Sequence, residues 1–170
     1  AALTEAMEIY RQLGDRNGEA RQAYQLMATA WLRDDLEEAK RLAPEAEQIN
    51  REVGDTWMLA WTLAVWATMA RLQGDLEEAR EKMIESHGLF LAHSGVLDVG
   101  WSALRLGAVA RDEGNYNEAT DRYTEGRDLL VIAGDSLGVA HADAGLGAMA
   151  WLAGDHDYAL ELFKSVLEGF

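Results

Sequence analysis

The sequence predicts an all-α protein, an α-solenoid of nine helices stacked as antiparallel pairs. Three observations predict it. First, one short segment recurs at a fixed step of 40 residues: Asp34-Asp35-Leu36-Glu37-Glu38-Ala39, Gly74-Asp75-Leu76-Glu77-Glu78-Ala79, Gly114-Asn115-Tyr116-Asn117-Glu118-Ala119 and Gly154-Asp155-His156-Asp157-Tyr158-Ala159. Second, another punctuation mark keeps the same step: Gly14-Asp15, Gly54-Asp55, Ser94-Gly95 and Gly134-Asp135. Third, the apolar residues between these marks fall three and four apart, as on one face of a helix, and do not alternate. Self-similarity at a period of about 20–50 residues is the mark of helical hairpins that cannot bury their apolar faces alone and stack to do so.

The marks divide the chain into one repeat domain over 1–170. It holds a half repeat at 1–13 and four repeats at about 16–53, 56–93, 96–133 and 136–170. Residues Leu3 to Leu13 form the opening helix, with Leu3, Ala6, Ile9, Tyr10 and Leu13 on one face. The first helix of each later pair covers roughly 17–32, 56–72, 96–112 and 136–152, and the second roughly 36–52, 76–92, 116–132 and 156–169. Turns this short make neighbours antiparallel.

Turn chemistry accounts for the punctuation. A glycine such as Gly74 closes one helix in the left-handed conformation. The next residue, Asp75, then caps the following helix, and Glu78 three positions on is placed to complete a reciprocal capping box. Asp35 with Glu38 and Asn115 with Glu118 repeat the pattern, while Asp155 with Tyr158 keeps only the cap. Pro44 falls inside 36–52, where a missing N–H and a crowded preceding turn predict a kink or an interruption.

Small and large side chains alternate in register. Ala39, Ala79, Ala119 and Ala159 mark close approaches on the second helices, and Ala30, Ala70, Ala110 and Ala150 on the first. Ala43, Met83, Tyr123 and Phe163 share one core slot, and Leu26, Trp66, Leu106 and Leu146 another. Phe170 falls at the slot of Phe90 and Leu130.

The pairs Leu106-Gly107 and Leu146-Gly147, followed by Ala110, Ala119, Tyr123 and Gly126 or by Ala150, Ala159, Phe163 and Val166, resemble the tetratricopeptide repeat (TPR). The 40-residue repeat is longer than that family's usual ~34. The family's common tryptophan near the start of the first helix is replaced by Ala23, Leu63, Ala103 and Asp143. The long form is similar to the sensor arms of maltose-regulator-type bacterial transcriptional activators and to Pins-type polarity scaffolds. The resemblance implies a right-handed TPR-like superhelix with the first helices lining its concave face.

Composition narrows the function. The formal charge is −15 with a pI near 4.5, which repels phosphate backbones and anionic membrane surfaces, so direct nucleic-acid and membrane binding are not expected. There is no cysteine, hence no disulfide framework or thiol nucleophile, which fits a reducing cytoplasm. The longest uncharged run, Thr56 to Ala70, is too short to span a bilayer, which takes about 20 residues. The chain lacks an initiator Met and opens inside a helical pattern, so it is expected to be a fragment of a longer protein.

No enzyme constellation stands out. His87 and His93 have no carboxylate between them and no HExxH motif. Gly145-Leu146-Gly147 sits in a predicted helix and lacks the strand and lysine of a phosphate loop. Adjacent Ser86 and His87 diverge around a helix and form no relay. The expectation is no enzyme, no cofactor and no metal.

On the first helices, the positions not assigned to the core give Arg21, Trp61, Trp101 and His141 in one row across repeats. A second row holds Tyr24, and a third holds Trp31, Arg71, Arg111 and Trp151. Tryptophan and arginine are the residues that binding hot spots use. One reading makes these rows a groove for a protein or peptide with apolar anchors and acidic groups. The other packs Trp61 and Trp101 between successive first helices as ordinary core. Trp66 lies on the core stripe, and Trp57 fits either place. The expected function is an interaction scaffold. The rival is an arm that senses a small ligand such as a sugar. The unfinished ends predict that the fragment pairs end to end as a homodimer.

Overall fold

The computed structural model describes residues 2–168, with the backbone alone at Glu168; Phe170 and its predicted slot lie outside them. Nine helices occupy the described residues: α1 (Ala2–Leu13), α2 (Arg16–Leu32), α3 (Leu36–Val53), α4 (Thr56–Leu72), α5 (Leu76–His93), α6 (Val96–Asp112), α7 (Tyr116–Ala133), α8 (Ser136–Ala153) and α9 (His156–Glu168). Each packs on the next in sequence.

Curvature follows from which backbones meet beyond that order. α2 approaches α4, α4 approaches α6, and α6 approaches α8. The odd-numbered helices do not approach one another among the described residues. Long side chains bridge the gaps between them instead, such as Lys82 Nζ to Glu47 at 3.0 Å, Arg51 to Glu85 at 2.8 Å and Arg80 to Glu118 at 3.0 Å. The even helices therefore crowd the inner side and the odd ones splay outward. α1 and α9 do not touch, so the array stays open.

Six of the eight turns use one residue twice. The Asp75 N–H donates to the Ala70 carbonyl at 2.9 Å and closes α4, while its carboxylate accepts from the Glu78 N–H at 3.2 Å and opens α5. Asp15, Asp35, Asp55, Asp135 and Asp155 do the same. This corrects the expected capping box. The backbone N–H that Glu78 would reach is already bound, and Glu78 pairs with Lys40 at 3.2 Å instead. Glu38 likewise turns to Arg41, and Glu118 to Arg80 and the Asn115 amide.

Two turns lack this double use, and a third lacks the glycine. Asn115 donates its N–H to the Ala110 carbonyl, but the cap expected of its side chain is not made. Asp34 holds the left-handed conformation (φ 61°) that glycine holds at the equivalent Gly74 and Gly114. At Ser94-Gly95 there is neither a left-handed residue nor a side-chain cap: Ser94 is extended and donates its N–H to the Phe90 carbonyl.

The interruption expected at Pro44 does not occur, and α3 runs through it. Pro44 lies on the exposed face, so the Lys40 carbonyl it leaves unbonded is on the side that water reaches.

The core keeps the predicted register. The four alanines Ala39, Ala79, Ala119 and Ala159 are fully covered. A Cβ on Gly107 would lie 2.9 Å from the Tyr123 ring, and one on Gly147 would lie 2.6 Å from Phe163. The aromatic slot on the second helix thus dictates glycine on the first. Trp66 is buried as expected, with the Lys82 ammonium 4.4 Å from its ring centroid.

Candidate binding groove

The even helices present their open sides to the concave face. Because α2, α4 and α6 pack side by side, the predicted row turns toward the neighbouring helix at Tyr24, Ala64 and Leu104. Ala64 and Leu104 are buried and Tyr24 is half-buried. The next position round, Gln25, Val65 and Arg105, takes the open place on α2, α4 and α6, whereas on α8 Gly145 is buried and Ala144 is the more open of the two. This shift of one residue corrects the Tyr24 row of the predicted stripe on these three helices and brings in Arg105, which the repeat pattern did not single out.

Arg105 stands in a ladder of rings. Trp57 and Trp61 on α4 meet edge to face at 6.2 Å between centroids. The Arg105 guanidinium reaches from α6 to within 5.3 Å of the Trp61 centroid and 5.7 Å of that of Trp101, one turn earlier on its own helix. Trp101 in turn meets His141 of α8 at 5.3 Å. Two carboxylates hold the indoles in place. Trp101 Nε1 donates to Asp135 at 2.8 Å, and Trp57 Nε1 donates to Asp98 at 3.1 Å. The Gly138 N–H and then the Trp101 indole hold Asp135 below the usual carboxylate range.

The ladder carries an unpaired charge. Arg105 has no ion pair or hydrogen bond among the described residues, and its Nη1 is fully covered. Asp98, the carboxylate that acts on it through space, is engaged by Trp57. Burial pushes the Arg105 pKa down, only partly offset by Tyr24 and Asp98. A covered donor without a partner costs about 1–3 kcal/mol.

Beside the ladder lies a pocket of about 320 Å³, walled by Arg71, Trp101, Arg105, Arg111, His141 and Tyr123 and floored by small residues such as Ala108 and Gly145. Asp112 ties two of its arginines, accepting from Arg71 at 2.5 Å and from Arg111 at 2.7 Å. Burial alone would raise the Asp112 pKa, but the guanidinia of Arg111 and Arg71 hold it low.

The structure thus brings Arg71, Trp101, Arg111 and His141 to one pocket, with Trp61 joined to them through Arg105 and Tyr24 beside Arg105. The indoles of Trp61 and Trp101 are half-buried, neither sealed in the core nor free. Arg21 is exposed and outside this pocket. Trp31 packs on the core cluster around Met27 and Ala43. Trp151 lies against His156 of α9 at 4.4 Å. Arg105 carried a readable signal in its four-residue spacing from Trp101. Trp57, left open by the sequence, proves 47% exposed at the foot of the ladder.

The polar contact of His87 lies elsewhere. His87 Nδ1 bonds the buried Ser102 hydroxyl at 2.7 Å, and that hydroxyl donates to the Val99 carbonyl at 2.8 Å. The serine proton is therefore spent on backbone. No cluster of three or more metal-binding side chains occurs among the described residues.

The tetratricopeptide-repeat family model matches residues 98–170. The fold is a TPR-like α-solenoid. No curated protein matches the sequence. Among solved structures, the chain is similar to BtubC from P. vanneervenii, with a TM-score of 0.83, 16% identity, and coverage of 99% of this chain and 73% of that one. It is similar to the apo form of RapI, with a TM-score of 0.80, 14% identity, and coverage of 99% and 49%. It is also similar to aspartyl phosphate phosphatase F from Bacillus subtilis, with a TM-score of 0.86, 14% identity, and coverage of 98% and 44%. The solenoid therefore spans half or less of the last two. At these identities the likeness is one of fold. None of its described helices is long and apolar enough to cross a membrane.

Proposed function

We propose that this solenoid is a non-catalytic interaction scaffold of the cell interior that holds a segment of a partner protein along its concave groove. Apolar anchors of the partner lie on the tryptophan ladder, and an acidic group meets Arg105. The observation that carries this reading is the half-buried, unpaired Arg105 guanidinium between the indoles of Trp61 and Trp101, the second of them pinned by Asp135. An interior ion left without a counter-ion is retained at a cost, and binding an acid offsets it. Arginine and tryptophan are also the residues through which interfaces concentrate their energy.

A random-peptide display screen tests this reading. Wild-type protein should enrich peptides that combine acidic and large apolar residues, and Arg105→Ala should lose that enrichment. Equal enrichment on both proteins, or none on either, would overturn it.

The pocket of about 320 Å³ favours a second reading, a sensor arm for a small ligand such as a sugar, as the likeness to maltose-regulator-type activators suggests. Under this reading a sugar panel, and not the peptides, would shift the Trp101 indole resonance.

A further inference from the structure

The concave face is polarised along α6. One open stripe remains beside the buried residues of this helix, and in order it reads Asp98, Trp101, Arg105, Ala108 and Arg111. These positions lie three or four apart and share a face. The stripe begins acidic and ends basic. At the basic end Arg71 of α4 joins Arg111, and Asp112 supplies one carboxylate for the two guanidinia, so that end stays positive even before Arg105 is added. At the acidic end no cation answers. Asp98 is half-buried and bonded through Oδ2 alone, by the neutral Trp57 indole at 3.1 Å; its Oδ1 has no partner among the described residues. Asp135 of α8 accepts from the Trp101 indole and the Gly138 N–H, again without an ion pair among the described residues.

Apolar surface links the two ends. Trp57, Leu97 and Leu137, each close to half exposed, stand one turn before Trp61, Trp101 and His141 on the same face of α4, α6 and α8. We propose that Asp98 binds a basic side chain of the partner, so that the groove takes a segment bearing both signs: a lysine or arginine at Asp98, an apolar residue on the indoles, and an acid at Arg105, about 10 Å further along α6. This rests on the groove reading above and adds the partner's second charge. The net charge of −15 favours such a segment over a purely acidic one, which the molecule as a whole repels.

The test extends the peptide display screen to a double-mutant cycle. Peptides selected on wild type should carry a base as well as an acid and a large apolar residue. One such peptide is synthesised and titrated by calorimetry, with a second version in which alanine replaces the base. That replacement should weaken binding to wild type about ten-fold, and binding to Asp98→Asn by less than about two-fold. Asparagine keeps an acceptor for the Trp57 indole and removes the charge. Asp98→Glu, which keeps the charge, should retain the contribution of the base. Selection on Arg105→Ala should lose the acid and keep the base.

Selected peptides that carry acid and apolar residues but no base, or an equal loss on wild type and Asp98→Asn, would overturn the role of Asp98 and leave the groove standing. If wild type selects no peptide, the role of Asp98 and the groove reading fall together. Asp98 also lies in the first turn of α6, where a carboxylate favours the helix. A merely structural Asp98 would lower the melting temperature when replaced and show no coupling to the base of the peptide, which overturns the proposal as well.

Discussion

The Arg105 guanidinium lies 5.3 Å from the ring centroid of Trp61 on the neighbouring helix, with no carboxylate bonded to it. Cation–π attraction supplies part of what a counter-ion would, about 0.5–2 kcal/mol. It leaves the covered Nη1 unsatisfied. The fold therefore carries a local cost at the centre of its concave face, and that cost can be measured.

Replacing Arg105 by Met keeps the length and apolar contact of the side chain and removes the buried donor. Stability to urea should rise by about 1 kcal/mol, while enrichment of acidic peptides disappears. A fall in stability would show that the indoles already satisfy the charge.

The turns at Asp34 and at Ser94-Gly95 predict stabilising substitutions. Asp34→Gly relieves a left-handed conformation in a residue with a Cβ and should add up to about 1 kcal/mol. Ser94→Gly combined with Gly95→Asp restores the glycine-aspartate device of the other turns. It should add about 1–2 kcal/mol, seen as a melting temperature several degrees higher. No change in the double variant would mean that the α5–α6 connection cannot adopt its neighbours' geometry.

Gly107→Ala should cost about 1–3 kcal/mol in urea denaturation, because its new methyl meets the Tyr123 ring at 2.9 Å. Combining it with Tyr123→Leu, which removes the ring, should recover much of the loss. Additive losses in that pair would show that the contact is not the cause.

His87 makes stability depend on pH. Burial lowers its pKa; Glu125, 3.9 Å from Nε2, opposes the shift and Arg122 reinforces it. The unfolded chain therefore takes up the proton first, near its ordinary ~6.5. The stabilisation is fully present above that value and is lost as pH falls from there through the lower folded value. Urea midpoints should drop between pH about 7.5 and 5.5, and His87→Gln should flatten that drop. An unchanged slope in the variant would assign the effect to other groups.

The turns and the core register were legible in the sequence because both are local or strictly periodic. Gly74 and Asp75 act within six residues of one another, and Ala79 recurs in step with its equivalents. The capping box misled because the sequence does not show that the Asp75 N–H is already spent on Ala70. One row of the concave stripe was displaced by one residue on α6 for a tertiary reason. Which side of α6 meets α4 decides whether Leu104 or Arg105 faces outward, and neighbouring helix positions diverge by about 100°. Arg105 was hidden by the method of comparison itself: Gln25, Val65 and Gly145 share its position, so a reading that averages over repeats discards it.

The double use of each turn aspartate has a mechanical corollary. A joint whose one residue both ends a helix and begins the next leaves no slack chain to bend, so the ribbon should flex as an elastic strip and not as beads on a string. The connection at Ser94-Gly95 lacks that coupling. It is where a load on the two ends would first be felt as bending, next to the helix that carries the groove's unpaired charge.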